Sequence, residues 1–281
     1  MKHYATVTVI GRDKTGVIAR ITAFLFAQKA NIEALEEQVT RGQFSMTLQA
    51  SWQAKALDRP AVDAGLHALG QDLGMQVRAR FTSTQHRQRG GILVSKEPHC
   101  LEGLIKAFKN GTLPAEAAVV ISNHGVLEPL AKKAGLPFHY LSWEDRDAGE
   151  KEAVKILDEH GVDFVMLARF MKILSPQFVW HYKNKIINIH PSLLPCFPGA
   201  QAYRQAYEHG VKIAGVTAHF VDMHLDEGPI IAQASFAVKP GMTLPQIIAA
   251  GQKLETTTLV KAVGLYLRKR LDVHWGTVRE V

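Results

Sequence analysis

Two side chains suited to hydrogen bonding and proton transfer stand close together at the end of an apolar segment. Residues 185–190 read Lys-Ile-Ile-Asn-Ile-His, and Pro191 follows. Side chains two residues apart on a strand point to the same face, so Asn188 and His190 are expected to converge on one spot. Pro191 restricts His190 to extended geometry and stops further strand pairing. The pattern is also typical of a strand end whose polar groups only satisfy the backbone.

A second polar constellation lies in residues 217–231, where an apolar segment runs into a polar loop. Asp226 stands there just before Gly228 and a proline. An aspartate in such a turn is typically a structural hydrogen-bond acceptor. The same segment offers a metal-binding alternative, but its candidate ligands fit no standard spacing. They are His219, Asp222 and His224. Cys196 lacks any local signature of a catalytic nucleophile, so it is not assigned that role.

The elements that must position these groups alternate between strand and helix. Nearly continuous apolar strands separated by helices predict a doubly wound, mostly parallel sheet covered on both faces. Such sheets bind ligands beyond the carboxyl ends of their strands, where Asn188 and His190 would lie. We therefore predict a doubly wound domain over residues 92–281. Its predicted strands are 92–94, 117–122, 138–141, 164–168, 185–190, 213–221 and 229–236, and its predicted helices are 101–109, 126–134, 150–160 and 244–268.

The residues before this domain follow a different pattern. Strands over 4–10, 31–40, 44–52 and 75–82, with helices over 17–30 and 59–73, give the order βαββαβ of a ferredoxin-like unit. Phe44, Met46 and Leu48 are expected to share one face of their strand. Residues 85–91 are polar, charged and glycine-ended, which predicts a linker. The sequence thus predicts an α/β protein with a domain at 1–84, a linker at 85–91 and the larger domain at 92–281.

Composition excludes several classes of protein. The chain has 281 residues, of which 47% are hydrophobic and 21% charged, and suits two globular domains. It has no apolar run long enough to span a membrane and no secretory signal, so we expect a cytoplasmic protein without a membrane partner. Two cysteines cannot form a disulfide framework or a four-thiolate zinc site. The net charge of +7 is spread along the chain, which favours an anionic small molecule over nucleic acid.

Longer motifs resemble a known family. Residues 188–195, Asn-Ile-His-Pro-Ser-Leu-Leu-Pro, together with 225–231, Leu-Asp-Glu-Gly-Pro-Ile-Ile, resemble the formyltetrahydrofolate-dependent formyltransferases. Residues 169–175 resemble that family's pterin-binding loop. The resemblance implies a catalytic set of Asn188, His190 and Asp226, and substrate contacts from Phe170, Met171, Lys172, Ile173, Leu174, Gly199 and Gly228.

The N-terminal segment carries a second resemblance. Residues 11–20, Gly-Arg-Asp-Lys-Thr-Gly-Val-Ile-Ala-Arg, resemble the opening of an ACT domain, a module that often binds amino acids and commonly pairs edge to edge. An ACT domain before a formyltransferase-like domain resembles the layout of the formyltetrahydrofolate deformylases. This layout implies an amino-acid effector and a homo-oligomer.

The family chemistry assigns a role to each catalytic residue. Attack on the formyl group of 10-formyltetrahydrofolate creates an oxyanion, and a proton must then reach the leaving nitrogen. Asn188 and His190 are expected to stabilise the oxyanion, and Asp226 to relay protons. This chemistry calls for no metal and no redox cofactor, because the folate is itself the substrate.

The acceptor of the formyl group is predicted from the first loop of the larger domain. Nucleotide-dependent transformylases resemble one another in a glycine-rich turn there, because phosphate needs free backbone N–H groups. Here Glu97 would repel phosphate and Pro98 has no N–H. Water is then the expected acceptor, and the resemblance to the deformylases implies that the formate feeds purine synthesis and that the reaction balances the one-carbon pool.

Two alternatives to hydrolysis are considered. A formyltransferase with an unidentified acceptor would need a basic pocket near Lys96, and Pro191 after the catalytic histidine does resemble the transformylases. A non-catalytic folate sensor would lose one of the three catalytic residues. All three are present, which argues against the sensor.

Overall fold

The chain forms two compact units, residues 1–86 and 87–281. The computed structural model describes residues 2–40, 42–53, 55–82, 87–274 and 276–281. No helix among these residues is both long enough and apolar enough to cross a bilayer.

The first unit has the predicted βαββαβ order. Its sheet has the strand order β2-β3-β1-β4 with antiparallel neighbours, as expected of a ferredoxin-like unit. Phe44, Met46 and Leu48, predicted to share one face, are all buried. The first helix ends three residues before the predicted Ala30, because Lys29 takes a left-handed backbone with φ of 61°. The elements are β1 (Lys2–Arg12), α1 (Val17–Ala27), β2 (Asn31–Thr40), β3 (Gln43–Gln53), α2 (Arg59–Leu73) and β4 (Gln76–Thr82).

The second unit has a seven-stranded sheet in the order β11-β10-β9-β8-β5-β6-β7. The five strands from β5 to β9 run parallel, and β10 pairs antiparallel with both of its neighbours. The elements are β5 (Arg89–Val94), α3 (His99–Lys109), β6 (Glu116–Ser122), a 3-10 turn (Gly125–Leu127), α4 (Glu128–Lys133), β7 (Phe138–Tyr140), α5 (Arg146–Glu159), β8 (Phe164–Ala168), α6 (Pro176–His181), β9 (Ile186–His190), α7 (Ala202–Glu208), β10 (Ile213–Phe220), β11 (Ile230–Ala237), α8 (Leu244–Leu267), β12 (Leu271–His274) and β13 (Thr277–Glu280).

Apolar residues cover both faces of this sheet, as the prediction of a doubly wound domain required. One core contains buried residues of α3, α4 and α8, and the other contains buried residues of α5 and α6. From β5 the chain adds β6 and β7 on one side, then returns to add β8 and β9 on the other. The order therefore reverses between β5 and β8, and ligands bind at such a point in open α/β sheets.

The predicted linker at 85–91 is too long. Residues 85 and 86 lie outside the described residues, but Arg89, Gly90 and Gly91 are the first residues of β5. A Cβ on Gly90 would lie 2.6 Å from the methyl carbon of Met166, and one on Gly91 would lie 2.5 Å from a methyl of Leu157. These glycines therefore permit close packing in the sheet rather than flexibility between domains.

Several short elements were not predicted. They are α6, α7 and the β12–β13 hairpin, each too short to show a clear hydrophobic period. The predicted helix over 126–134 is divided into the 3-10 turn and α4. Helix α5 begins four residues before the predicted Glu150, where Asp145 caps it by accepting from the backbone N–H of Ala148 at 3.0 Å.

Candidate active site

A cavity of about 600 Å³ lies at the carboxyl ends of β8 and β9, with walls completed by α7, α8 and the β10–β11 loop. Its size is typical of a site for a small organic ligand. The cavity brings together nine of the ten predicted site residues. They are Phe170, Met171, Lys172, Ile173, Leu174, Asn188, His190, Gly199 and Asp226.

His190 and Asp226 form a buried pair in this cavity. Nδ1 of His190 lies 3.2 Å from Oδ2 of Asp226, and the two side chains are 5% and 8% exposed. Nε2 of His190 is 2.9 Å from the carbonyl oxygen of Phe197, so this nitrogen donates its proton to the backbone. Both ring nitrogens therefore contact protein atoms. The contacts of His190 fix the orientation of Asp226, and the role of His190 at the oxyanion stays a prediction.

Asp226 is held in place by its own turn as well. Its backbone is left-handed, with φ of 58°, and the backbone N–H of Gly199 donates to its Oδ2 at 2.8 Å. An aspartate adopts this backbone region more readily than most residues. The same carboxylate oxygen thus receives both the Gly199 N–H and the His190 imidazole, and its position in the cavity is fixed from two sides.

Asn188 is oriented by a residue whose role the sequence did not reveal. Asn188 on β9 lies opposite His219 on β10, and its Nδ2 is 3.1 Å from Nε2 of His219. Nδ1 of His219 is 2.8 Å from the carbonyl of Phe220, which places the ring proton on Nδ1 and a lone pair on Nε2. Burial lowers the pKa of His219 and keeps the ring neutral.

The Asn188 amide keeps one free N–H group. One of its two N–H groups donates to His219, and the other can donate to an oxygen in the cavity. The sequence marked His219 as a polar residue of an apolar strand and as a candidate metal ligand, but not as the partner of Asn188. The antiparallel register that sets it against Asn188 is not visible there.

Gly228, the tenth predicted site residue, lies in a tightly packed turn next to the cavity residues. It does not line the cavity. A Cβ at this position would lie 1.8 Å from the carbonyl oxygen of Phe220, so only glycine lets the chain pass so close to the end of β10. Gly228 therefore shapes the turn that carries Asp226, and its contact with substrate stays a prediction.

Buried side chains hold both ends of the loop at residues 170–174, the 170–174 loop. Oγ of Ser95 accepts from the backbone N–H of Met171 at 3.0 Å. At the other end, Glu150 accepts from the backbone N–H of Ser175 at 2.7 Å and also bonds to its hydroxyl. Burial raises the pKa of Glu150 above its ordinary value of 4.5. The loop side chains at 171–173 are exposed toward the cavity mouth, so the backbone is fixed while its surface stays open to a ligand.

A second cluster of polar side chains, which we call the Glu255 cluster, adjoins the cavity. Glu255 on α8 is fully buried and contacts His99 at 3.0 Å, Arg169 at 3.4 Å and the hydroxyl of Tyr203 at 2.7 Å. Burial alone would raise the pKa of Glu255, but its hydrogen bonds and the charge of Arg169 outweigh burial and lower it. The cluster is Glu255, His99, Arg169 and Tyr203, and none of its members was predicted as a site residue.

The metal set considered from the sequence is not assembled. Asp222 accepts from the backbone N–H of His224 at 2.9 Å, and His219 is turned toward Asn188. Among the described residues, the metal-like grouping is instead His99, Cys100 and Glu255. Burial raises the pKa of the Cys100 thiol, which disfavours the thiolate that a metal needs.

The fold and the cavity define a formyl transferase domain that follows an ACT domain. The formyl transferase family model matches residues 89–263, and the ACT domain model matches residues 3–80. The formyltetrahydrofolate deformylase of Bacillus subtilis is 37% identical over 267 residues, covering 93% of this chain and 88% of the relative. The chain belongs to the formyltetrahydrofolate deformylase family.

Two solved structures extend this result. The deformylase from Pseudomonas putida is 33% identical, with a TM-score of 0.66, over 99% of this chain and 100% of that one. A glycinamide ribonucleotide transformylase from Symbiobacterium toebii is 35% identical, with a TM-score of 0.68, over 72% of this chain and 96% of that one. The second unit thus shares its fold both with a deformylase and with a transformylase.

Proposed function

We propose that this chain hydrolyses 10-formyltetrahydrofolate to formate and tetrahydrofolate. The observation that carries the proposal is the joint placement of the Asn188 amide and the His190–Asp226 pair beside the 170–174 loop. An amide N–H, a fixed carboxylate and a backbone loop in one cavity are what hydrolysis of a formylated folate requires. Membership of the deformylase family supports the same conclusion.

The reaction adds water across the C–N bond of the formyl group. The oxygen of water bonds to the formyl carbon while Asp226 accepts a proton from that water. Asn188 donates its second N–H to the oxyanion that forms on the formyl oxygen. When the C–N bond breaks, the electron pair stays on the folate nitrogen, which takes the proton that Asp226 received. Formic acid leaves with the water oxygen and loses its remaining proton to solvent as formate, so atoms and electrons balance.

The 170–174 loop is proposed to hold the pterin ring. Its first backbone N–H after Phe170 is already used by Ser95, which fixes the loop for ligand contacts. Phe170 is buried, and its ring packs edge-on against Trp143 with centroids 4.9 Å apart. No step in this mechanism requires a metal or a redox cofactor.

The transferase alternative predicted a basic pocket near Lys96. Among the residues lining the cavity, the loop after β5 contributes Glu97 instead. Its carboxylate accepts from the side chain of Gln252 at 3.2 Å. A negative group at this place disfavours a phosphorylated acceptor, and this supports water as the second substrate.

The first unit is proposed to regulate and assemble the enzyme. We propose an amino-acid effector at the ACT domain and a homo-oligomer formed through it. Strand β2 pairs only with β3 among the described strands, and it exposes Ile32, Leu35 and Val39. Such an edge supports pairing with a second copy. A cytoplasmic location and a supply of formate for purine synthesis complete the proposal.

The direct test is incubation of the purified protein with 10-formyltetrahydrofolate and no acceptor, while formate and tetrahydrofolate are measured. Equal amounts of both products are expected. Turnover that begins only when glycinamide ribonucleotide is added would show that the protein is a transferase.

A further inference from the structure

We infer that the Glu255 cluster occupies the part of the cavity where a second substrate would bind, and that Arg169 thereby reserves the formyl group for water. This inference rests on the proposed function and names the feature that determines its acceptor. Arg169 is a specificity-determining residue in this view, and Glu255, His99 and Tyr203 hold it in place.

The position of the cluster in the cavity supports the inference. The folate is assigned to the 170–174 loop, and the reacting groups lie on β9 and the β10–β11 loop. A nucleophile must therefore approach from the remaining wall, which α7, α8 and the loop after β5 provide. That wall carries Tyr203, Gln252, Glu255 and Glu97. Arg169 lies between β8 and the 170–174 loop and contacts this wall through Glu255.

Most polar groups on this wall already have partners on it. Glu255 contacts His99, Tyr203 and Arg169, which come from three different elements, and Glu97 accepts from Gln252. The contact of Arg169 is an ion pair, and its Nε makes no hydrogen bond. A polar acceptor would have to break these contacts without restoring them, which leaves buried groups unsatisfied. Water is small enough to reach the formyl carbon without entering the cluster.

Two glycines bring the members of the cluster together. A Cβ on Gly251 would lie 2.0 Å from the hydroxyl oxygen of Tyr203, so this glycine lets the ring reach across α8 to Glu255. A Cβ on Gly103 would lie 2.0 Å from a methyl of Thr256, so α3 approaches α8 closely at the point where His99 meets Glu255. The cluster is therefore built into the helix packing.

The backbone conformation of Arg169 also supports the inference. Its φ of 63° is left-handed, a region that a long side chain seldom occupies. Strain of this kind persists where surrounding contacts fix it, and it concentrates at functional sites. Here the contact is with the fully buried Glu255, and the side chain of Arg169 is only 18% exposed. Glycine would suit this backbone better and would leave the end of the cavity open.

The test measures where the formyl group goes when an amine competes with water. Wild type and Arg169→Gly are incubated with 10-formyltetrahydrofolate and glycinamide, and formate and N-formylglycinamide are quantified. In the amine reaction a C–N bond to glycinamide forms, the C–N bond to folate breaks, and the proton lost by the amine goes to the folate nitrogen. A matched control is Lys269→Gly, which removes a cation from an exposed left-handed position, with φ of 55°, after α8.

We expect Arg169→Gly to raise the N-formylglycinamide fraction about tenfold or more, a discrimination typical of pocket shape. Lys269→Gly should match wild type. The double variant Arg169→Gly with Glu255→Gln removes both charges together, and it should also favour the amine. Circular dichroism establishes that each variant is folded.

Two results would overturn the inference. One is a folded Arg169→Gly that still consumes the folate with the wild-type product ratio. The other is loss of both reactions in the folded single and double variants, which would make Arg169 necessary for the chemistry itself. Formate release by wild type without amine tests the proposed function separately, so failure of that function is recognised independently.

Discussion

The imidazole of His190 lies 3.2 Å from the carboxylate of Asp226, although the two residues come from different elements, a strand and a loop. Because the other ring nitrogen is bonded to a backbone carbonyl, His190 cannot turn away from this contact without losing it. The pair therefore presents one carboxylate in one orientation. This is the property that a group moving a proton between water and a leaving nitrogen needs.

Replacing Asp226 by asparagine should reduce turnover by roughly 10² to 10⁴, because the amide cannot accept the proton. Formate release measures the effect, and thermal unfolding of the same preparation reports stability. Asp222→Asn is the matched control in the same loop and should keep wild-type turnover. An Asp226→Asn protein that unfolds early but retains near-normal turnover would limit Asp226 to bracing the turn.

Replacing Asn188 by alanine should lower kcat by about 10² to 10³, the effect of losing one oxyanion donor. His219→Phe should lower kcat in the same direction by a smaller factor, because it releases the amide without removing it. The double variant should resemble Asn188→Ala alone, because the side-chain hydrogen bond of His219 is to the Asn188 amide, and its 3.7 Å distance from Asp226 is too long for a hydrogen bond. Effects that multiply in the double variant would separate His219 from the orientation of Asn188.

The pair on β9 was the part of the site most accessible to sequence reasoning. Strand alternation alone places Asn188 and His190 on one face, and the structure brings both into the cavity. Asp226 could be connected to them only through family resemblance, because the β10–β11 loop that returns it to β9 has no local signal. His219 was visible as a residue but not as the partner of Asn188, since that relation depends on antiparallel register.

Other elements were missed or misassigned for related physical reasons. Gly90 and Gly91 follow a polar run and predict a linker, but they allow β5 to pack tightly inside the sheet. Gly228 lies within a functional motif and was therefore assigned to substrate, although its contact is with the backbone of Phe220. A glycine in a sequence can indicate that a side chain would not fit at that position. The sequence does not show which neighbouring atoms would clash with it.

Gly228→Ala should destabilise the second unit by about 1–3 kcal/mol or more, because the new methyl group overlaps the carbonyl of Phe220. Denaturant unfolding measures the loss. Gly125→Ala is the control, because a Cβ there meets nothing within 4 Å and its φ is not left-handed. Wild-type stability in Gly228→Ala would contradict the close approach of the two segments.

Burial of Glu150 should make the protein less stable as pH rises. Burial raises the pKa of Glu150 in the fold above its ordinary value of 4.5, so the folded state binds this proton more tightly than the unfolded state. The free energy that protonation of Glu150 contributes to folding is therefore fully present below pH 4.5. It decreases as pH rises through the raised pKa. Glu150→Gln keeps the shape and cannot ionise.

The measurement is the free energy of unfolding of wild type and Glu150→Gln across this pH range. The free energy of unfolding of wild type should fall relative to that of Glu150→Gln as pH rises from 4.5. The difference between the two free energies should then level off. A difference that stays constant, or that moves in favour of wild type, would mean that the carboxylate is not penalised by burial.

Chelators should leave formate release unchanged, because the proposed chemistry uses proton transfer and an amide donor rather than a Lewis acid. The experiment compares turnover before and after treatment with EDTA, with a zinc metalloenzyme as a positive control for chelation. Loss of activity that zinc restores would direct attention to His99, Cys100 and Glu255 as ligands.

The position of β5 in the centre of its sheet has a consequence for synthesis on the ribosome. The first unit possesses all four of its strands once β4 is made, so it can fold while the rest of the chain is still being translated. Strand β5 emerges next, but its neighbour β8 comes only after β6, β7 and three helices have been added. Until then a highly apolar strand has one edge without its native partner. The nascent second unit should therefore need protection, by the ribosome or by chaperones, for longer than the unit that precedes it.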